Sequence, residues 1–333
     1  MIQKTDLVII GAGPTGLFSI FEAGMLKIKC HVIDTLENIG GQCIALYPEK
    51  PIYDIPAHPK ILASELVEKL EEQAKPFAPV YHLNQRVDKL TKNAEGFLVE
   101  TSKGTQIQCK AIIIAAGCGA FGPNRPPLAA IEEYEGKSVF YSIKSKALFS
   151  GKNVVIGGGG DSAIDWALSL IDIAKKVSLI HRRDKFRCAP ENADKLKTLA
   201  ASGAIDLVVP YQLDSLKGSN GVLEAVSVKD FDGNKREIAA NYLLPFYGLA
   251  MELGPIANWG LNLHKNLIDV DVATMQTSVS GIYAVGDIAH YKNKLKLILN
   301  GFGEAATACH DIYKIIFPDQ IFHFEYSTSK KMT

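Results

Sequence analysis

The chain of 333 residues has room for about two domains at roughly 150 residues each, which excludes a single small binding module. Its composition, 47% apolar, 22% charged and 8% aromatic, is that of a chain able to bury a core, and it excludes disorder and coiled coil. Lys plus Arg and Asp plus Glu each number 36, so no global field draws the chain to nucleic acid or to an anionic membrane.

The first predicted element is a short apolar strand, Thr5 to Ile10, followed by Gly11-Ala12-Gly13-Pro14-Thr15-Gly16 and a helix-period segment reaching about Lys27. The apolar run from Leu7 to Gly24 is broken by Pro14 and Glu22 and has regularly spaced glycines, so it reads as folded structure rather than as a secretory segment. A second strand, Cys30 to Ile33, ends at Asp34. Strand, glycine turn, helix, strand and terminal acid form a dinucleotide fingerprint: Gly11 permits the turn, Gly13 lets backbone approach a pyrophosphate, and Gly16 allows close packing of helix on strand. Asp34 is then placed to accept hydrogen bonds from ribose hydroxyls.

Ile107 to Ala116 is another strand-like run, and the Gly/Pro-rich stretch from Gly119 to Pro127 reads as an interdomain linker. A second fingerprint follows: a strand from Lys152 to Ile156, a glycine run read as G-x-G-x-x-A on Gly158, Gly160 and Ala163, a helix to about Ile173, and a strand from Val177 to Ile180. This second strand ends in His181-Arg182-Arg183, with Lys185 and Arg187 close behind. An acid there would repel a 2′-phosphate and an arginine pairs with it bidentately, so the second site reads as NADPH-binding. An exposed basic turn is the alternative. Two dinucleotide sites imply one tightly held flavin and one exchangeable nicotinamide.

Gly248 to Pro255 reads as the return crossing, Gly281 to Asp287 as a strand running into Gly-Asp, and the segment Gly301-Phe302-Gly303-Glu304 as the start of a helix. The six cysteines are scattered, without C-x-x-C or metal-type spacing, which fits reduced thiols in a cytoplasmic protein and no metal site. No stretch approaches 18 uninterrupted apolar residues, so no transmembrane helix is predicted.

The order of first fingerprint, Gly40-Gly41-Gln42, second fingerprint and late Gly286-Asp287 resembles the flavoprotein reductases with two dinucleotide domains, thioredoxin reductase included, over nearly the whole chain. The segments Gly41-Gln42-Cys43 to Lys50, Gly158 to Trp166 and His181 to Arg187, together with the Ser/Thr-rich tail, resemble more narrowly the thioredoxin-reductase-like (type 2) ferredoxin–NADP reductases. The region where thioredoxin reductase carries its dithiol, here Ser138 to Phe149, contains no cysteine, so electrons must leave directly from the flavin.

The resemblance implies an α/β fold with two Rossmann-like domains, the second inserted into the first: an FAD domain from 1–117 plus 247–333 and an NADPH domain from 118–246. It implies FAD contacts at Thr15, Asp34, Gln42, Tyr47, Val87, Phe121, Asp287 and Thr328, with Tyr47 stacked on one flavin face and Tyr326 covering the other. Tyr47 as a core aromatic and Tyr326 as an unanchored tail residue are the alternatives. Ferredoxin or flavodoxin as acceptor and a homodimeric state are likewise implications of the resemblance. A helix beginning near Gly303 would aim its positive end at the flavin. Reduction of quinones or other small acceptors, and a non-catalytic redox sensor, are the competing functions.

Overall fold

The computed structural model describes residues 1–320. The chain divides into two compact units, one of residues 1–45, 50–120 and 251 onward, the other of residues 46–49 and 121–250. The second unit is thus an insertion, entered through the strand Ala120–Pro123 and left through Leu249–Glu252, and these two strands pair with each other.

In the first unit a parallel sheet runs in the order Ile282–Ala284, Ala111–Ile114, Leu7–Ile10, Cys30–Ile33, Val80–His82. All four residues of Leu7–Ile10 and of Ala111–Ile114 are buried, without alternation, because both faces of the sheet are covered. The helix Pro14–Met25 covers one face with Leu17 and Ile20. The other face shares a core with the smaller sheet formed by Gln3–Lys4, Gln106–Cys109, Gly96–Thr101 and Val87–Asn93, through Phe97, Val99 and Ile107. Each such fully buried aliphatic contributes about 1.5–3 kcal/mol. The run read from sequence as one strand from Ile107 to Ala116 is two strands broken at Lys110, the first in the small sheet and the second in the parallel sheet. Leu7, Val8, Ile9 and Ile10 pair in register with Ala111, Ile112, Ile113 and Ile114, so the two fully buried runs are immediate neighbours.

The second unit repeats the plan on a smaller scale. Its parallel sheet has the order Asp206–Val208, Lys176–Ile180, Asn153–Gly157, Tyr242–Pro245. The helices Asp161–Leu170 and Pro190–Ala201 cover one face through Ile164, Leu170 and Leu196, and an antiparallel sheet covers the other through Val226 and Val228. Residues 46–49, which a division at residue 117 assigns to the first domain, cluster with the second unit, where the Ile143 N–H donates to Leu46 O at 3.2 Å and the Lys146 N–H to a Glu49 carboxylate oxygen at 2.8 Å. No helix among the described residues is long and apolar enough to cross a membrane.

Candidate nucleotide sites

In both units the first parallel strand ends in a glycine whose φ is positive, Gly11 at +109° and Gly158 at +142°. A Cβ on Gly11 would lie 2.4 Å from Ala115 O, and one on Gly158 would lie 2.5 Å from Phe246 O, so backbone crowding alone demands glycine. The third small position answers to packing too: a Cβ on Gly16 would lie 1.9 Å from Gly11 O, whereas the second unit accommodates the fully buried Ala163.

The middle glycines differ. Gly13 has φ −72° and Gly160 φ −97°, and a Cβ on either would meet nothing closer than 3.9 Å. Neither strain nor internal contact explains them. A phosphate approaching the backbone would, because each is the N-cap of a helix with no side-chain cap, so first-turn N–H groups remain to be satisfied. The residues present therefore fit a dinucleotide in each unit.

Asp34 follows the second strand of the first unit. One of its carboxylate oxygens accepts the Ala12 N–H at 2.6 Å and the other the Leu36 N–H at 2.8 Å, so the acid also braces the glycine turn. Burial pushes its carboxyl up from the ordinary range while these N–H groups pull it down. Each oxygen keeps a second lone pair for a ribose hydroxyl.

Thr15, Gln42 and Asp287 gather beyond the carboxyl ends of the same strands. A Cβ on Gly286 would lie 3.1 Å from Thr15 Oγ1, and one on Gly301 only 2.3 Å, so both glycines let Thr15 in. Gln42 Nε2 would lie 3.4 Å from a Cβ on Gly117, and its side chain hydrogen-bonds the Cys118 thiol, which burial pushes up. Asp287, in the short 3-10 turn Gly286–Ile288, is pushed up by burial against the pull of Lys296 and Lys294.

Other expected contacts fall elsewhere. Val87 is 4% exposed, its side chain taken up in the core, so only its backbone can meet a ligand. Phe121 lies in the crossing strand Ala120–Pro123. Tyr47 packs on the core of the second unit, among Phe149 and its neighbours, and not in the first unit with Thr15 and Asp287. Tyr326 and Thr328 lie outside the described residues. The last helix is Ile298–Ile316, which corrects the start near Gly303. Gly301 and Gly303 read as a helix boundary in the sequence, but Gly301 sits inside the helix, where its missing Cβ makes room for Thr15.

In the second unit the basic turn is fastened to the glycine loop in a way the sequence does not signal. The His181 ring covers Gly159, where a Cβ would come within 2.3 Å of it, and its Nε2 lies 3.3 Å from Lys185 O. The Arg187 N–H donates to Gly159 O at 2.7 Å. Burial, with the charges of Arg182, Arg187 and Arg183, holds His181 below its ordinary value despite the Lys185 carbonyl. Arg182 and Arg183 are exposed, and among the described residues neither is engaged in an ion pair. None of the six cysteines is joined in a disulfide.

The profile of the family described as pyridine nucleotide-disulphide oxidoreductase matches residues 5–305. The chain belongs to that family. Among its relatives, the ferredoxin–NADP reductase of Rickettsia akari is 60% identical over 329 residues, 99% of this chain and 98% of its own length. That of Rickettsia felis is 59% identical over 330 residues, 99% and 98% of the two chains. The fold of this oxidoreductase is also that of thioredoxin reductase from T. acidophilum, with a TM-score of 0.81 at 24% identity over 94% of this chain and 98% of the other. The Lactococcus lactis enzyme gives 0.80 at 24% identity, over 94% and 99%.

Glu304, read in the sequence only as part of a helix start, and Lys294 and Tyr291, not read at all, come together in the structure. Glu304 is only 5% exposed, and it holds the Gly286 N–H at 2.8 Å, the Tyr291 hydroxyl at 2.7 Å and the Lys294 ammonium. Glutamate is so seldom fully buried that the string Gly303-Glu304-Ala305 carries no such signal.

Proposed function

We propose that the chain is an FAD-dependent ferredoxin–NADP reductase, moving electrons between NADPH and ferredoxin or flavodoxin, with FAD on the first unit and NADPH on the second. The observation that carries this assignment is the pair of unexplained middle glycines, Gly13 and Gly160, on two helices whose neighbouring strands end in opposite charge. Asp34 suits an unphosphorylated ribose, and Arg182 with Arg183 suits a 2′-phosphate. The relatives near 60% identity, named ferredoxin–NADP reductase, support the same activity.

When bound, FAD supplies a centre that takes hydride from nicotinamide and passes electrons singly to a carrier protein. The chain's own contribution is positioning. Gly11, Gly13 and Gly16 would seat the FAD pyrophosphate, Asp34 would hold the ribose, and Thr15, Gln42 and Asp287 of the first unit would meet the rest of the molecule. The resemblance further implies Val87, through its backbone, and Phe121, Tyr47, Tyr326 and Thr328 as residues that would meet FAD. Gly158, Gly160 and Ala163 seat the NADPH pyrophosphate. No side-chain acid or base is needed for hydride transfer, which depends on placement. With no cysteine from Ser138 to Phe149, disulfide reduction through a local dithiol is absent from this scheme. The enzyme works as a cytoplasmic homodimer.

The test is direct. The purified protein should be yellow, bleach anaerobically with NADPH much more readily than with NADH, and reduce cytochrome c only when ferredoxin is added. Bleaching without ferredoxin-dependent turnover, but with rapid quinone turnover, would replace the carrier protein by a small acceptor.

A further inference from the structure

Lys294 and Glu304 form an ion pair in which each side chain is only 5% exposed. Surface pairs such as Lys4 with Glu95, at 73% and 67% exposure, contribute little and cost little. A pair withdrawn from water costs desolvation of both ions and is weak evidence of stability, so its place in the fold calls for another account.

That account lies in what Glu304 holds. One oxygen accepts the Gly286 N–H at 2.8 Å, and the other accepts the Tyr291 hydroxyl at 2.7 Å and the Lys294 ammonium. All three donors belong to one segment, residues 286–294, and that segment carries Asp287. Lys294 also lies over the Tyr291 ring, 5.4 Å from its centroid. The last helix therefore clamps the Asp287 segment at both ends through a single carboxylate. The charged groups acting on Asp287 are Lys296, Lys294 and Glu304, two positive and one negative, so the pair also sets the charge balance there.

We propose that Glu304 and Lys294 are positioning residues for the flavin: together they fix the segment bearing Asp287 and keep the charge beside it balanced, so that each governs flavin affinity and flavin potential with opposite sign on the latter. This rests on the reading that FAD lies against Asp287.

The experiment measures the FAD dissociation constant and the flavin midpoint potential in the wild-type chain, Glu304→Gln, Lys294→Met and the double variant, alongside the thermal midpoint. Glu304→Gln leaves Lys294 uncompensated and should raise the potential, whereas Lys294→Met leaves Glu304 uncompensated and should lower it. The dissociation constant should rise about tenfold in each single variant, and the double variant should recover wild-type potential and most of the affinity. Potentials that stay put, or that move the same way in both single variants, would overturn the proposal even if thermal stability falls. If Glu304→Gln does not fold, the lowered potential of Lys294→Met and its recovery in the double variant remain the required results. A wild-type chain that binds no FAD would instead defeat the underlying assignment, so the two failures are distinguishable.

Discussion

The two glycine turns are built alike where the chain meets itself and differ where it meets a ligand. Gly11 and Gly158 share positive φ and a carbonyl 2.4 or 2.5 Å from any added Cβ, and Gly13 and Gly160 share open space. Past the second strand the turns diverge. The first ends in Asp34, buried and bonded to Ala12 and Leu36, and the second in exposed arginines that follow His181, whose ring covers Gly159. One architecture thus carries an inward acid suited to a ribose and an outward basic turn suited to a phosphorylated one, which teaches that the fold sets where a dinucleotide lies while a few residues at one strand end choose which.

The sharpest way to break this comparison is to remove the basic end. Arg182→Ala with Arg183→Ala should raise the KM for NADPH by roughly 100-fold or more, given about 1.5–3 kcal/mol for each charge-assisted bond, and barely alter that for NADH. Steady-state kinetics with both coenzymes decide it; equal losses would mean the turn does not read the 2′-phosphate.

The glycines give the next effect in size. Gly11→Ala should cost about 3 kcal/mol or more of stability, since it forces positive φ and a backbone collision, whereas Gly13→Ala should leave the apo melting midpoint nearly unchanged and weaken FAD binding about tenfold. Calorimetry of the apoprotein and fluorescence titration with FAD separate the two; a Gly13→Ala variant that melts early but binds normally would reverse the assignment.

A smaller effect concerns pH. Burial holds His31 and His82, whose Nδ1 and Nε2 lie 3.0 Å apart beside the Asp34 backbone, below the ordinary value of 6.5. His181 is lowered likewise in the second unit. A depressed histidine favours the folded state above its unfolded pKa and loses that contribution as pH falls. Apoprotein stability should therefore decline as pH drops through and below 6.5, and His31→Asn should flatten the decline, as followed by urea midpoints across pH.

Smallest of all is the effect of sulfur. Cys118, hydrogen-bonded to Gln42 close to the expected flavin, is pushed up by burial and so stays a thiol at neutral pH. Cys118→Ser should bind FAD and transfer electrons nearly as the wild-type chain does in a ferredoxin-coupled cytochrome c assay. Loss of transfer with FAD retained would overturn the scheme that uses no thiol.

The sequence by itself determined the local grammar. Cys30–Ile33 appears as a strand with the bounds read from its apolar run, and the turns at Gly11 and Gly158 follow from a glycine spacing that no other residue could satisfy at positive φ. The strand period and the positive-φ turn are local backbone features, so a linear reading reaches them even though the carbonyls that crowd Gly11 and Gly158, those of Ala115 and Phe246, come from distant chain. The tertiary structure alone decided what depends on distant chain. It drew residues 46–49, and Tyr47 with them, into the second unit, and placed Gly301 inside the helix Ile298–Ile316, where a Cβ would collide with Thr15 from the far end of the chain. It folded His181 over Gly159 and buried Glu304 against the Gly286 N–H, Tyr291 and Lys294. Burial of a charge and the meeting of side chains from separate elements are properties of packing, and the sequence carries no local mark of either.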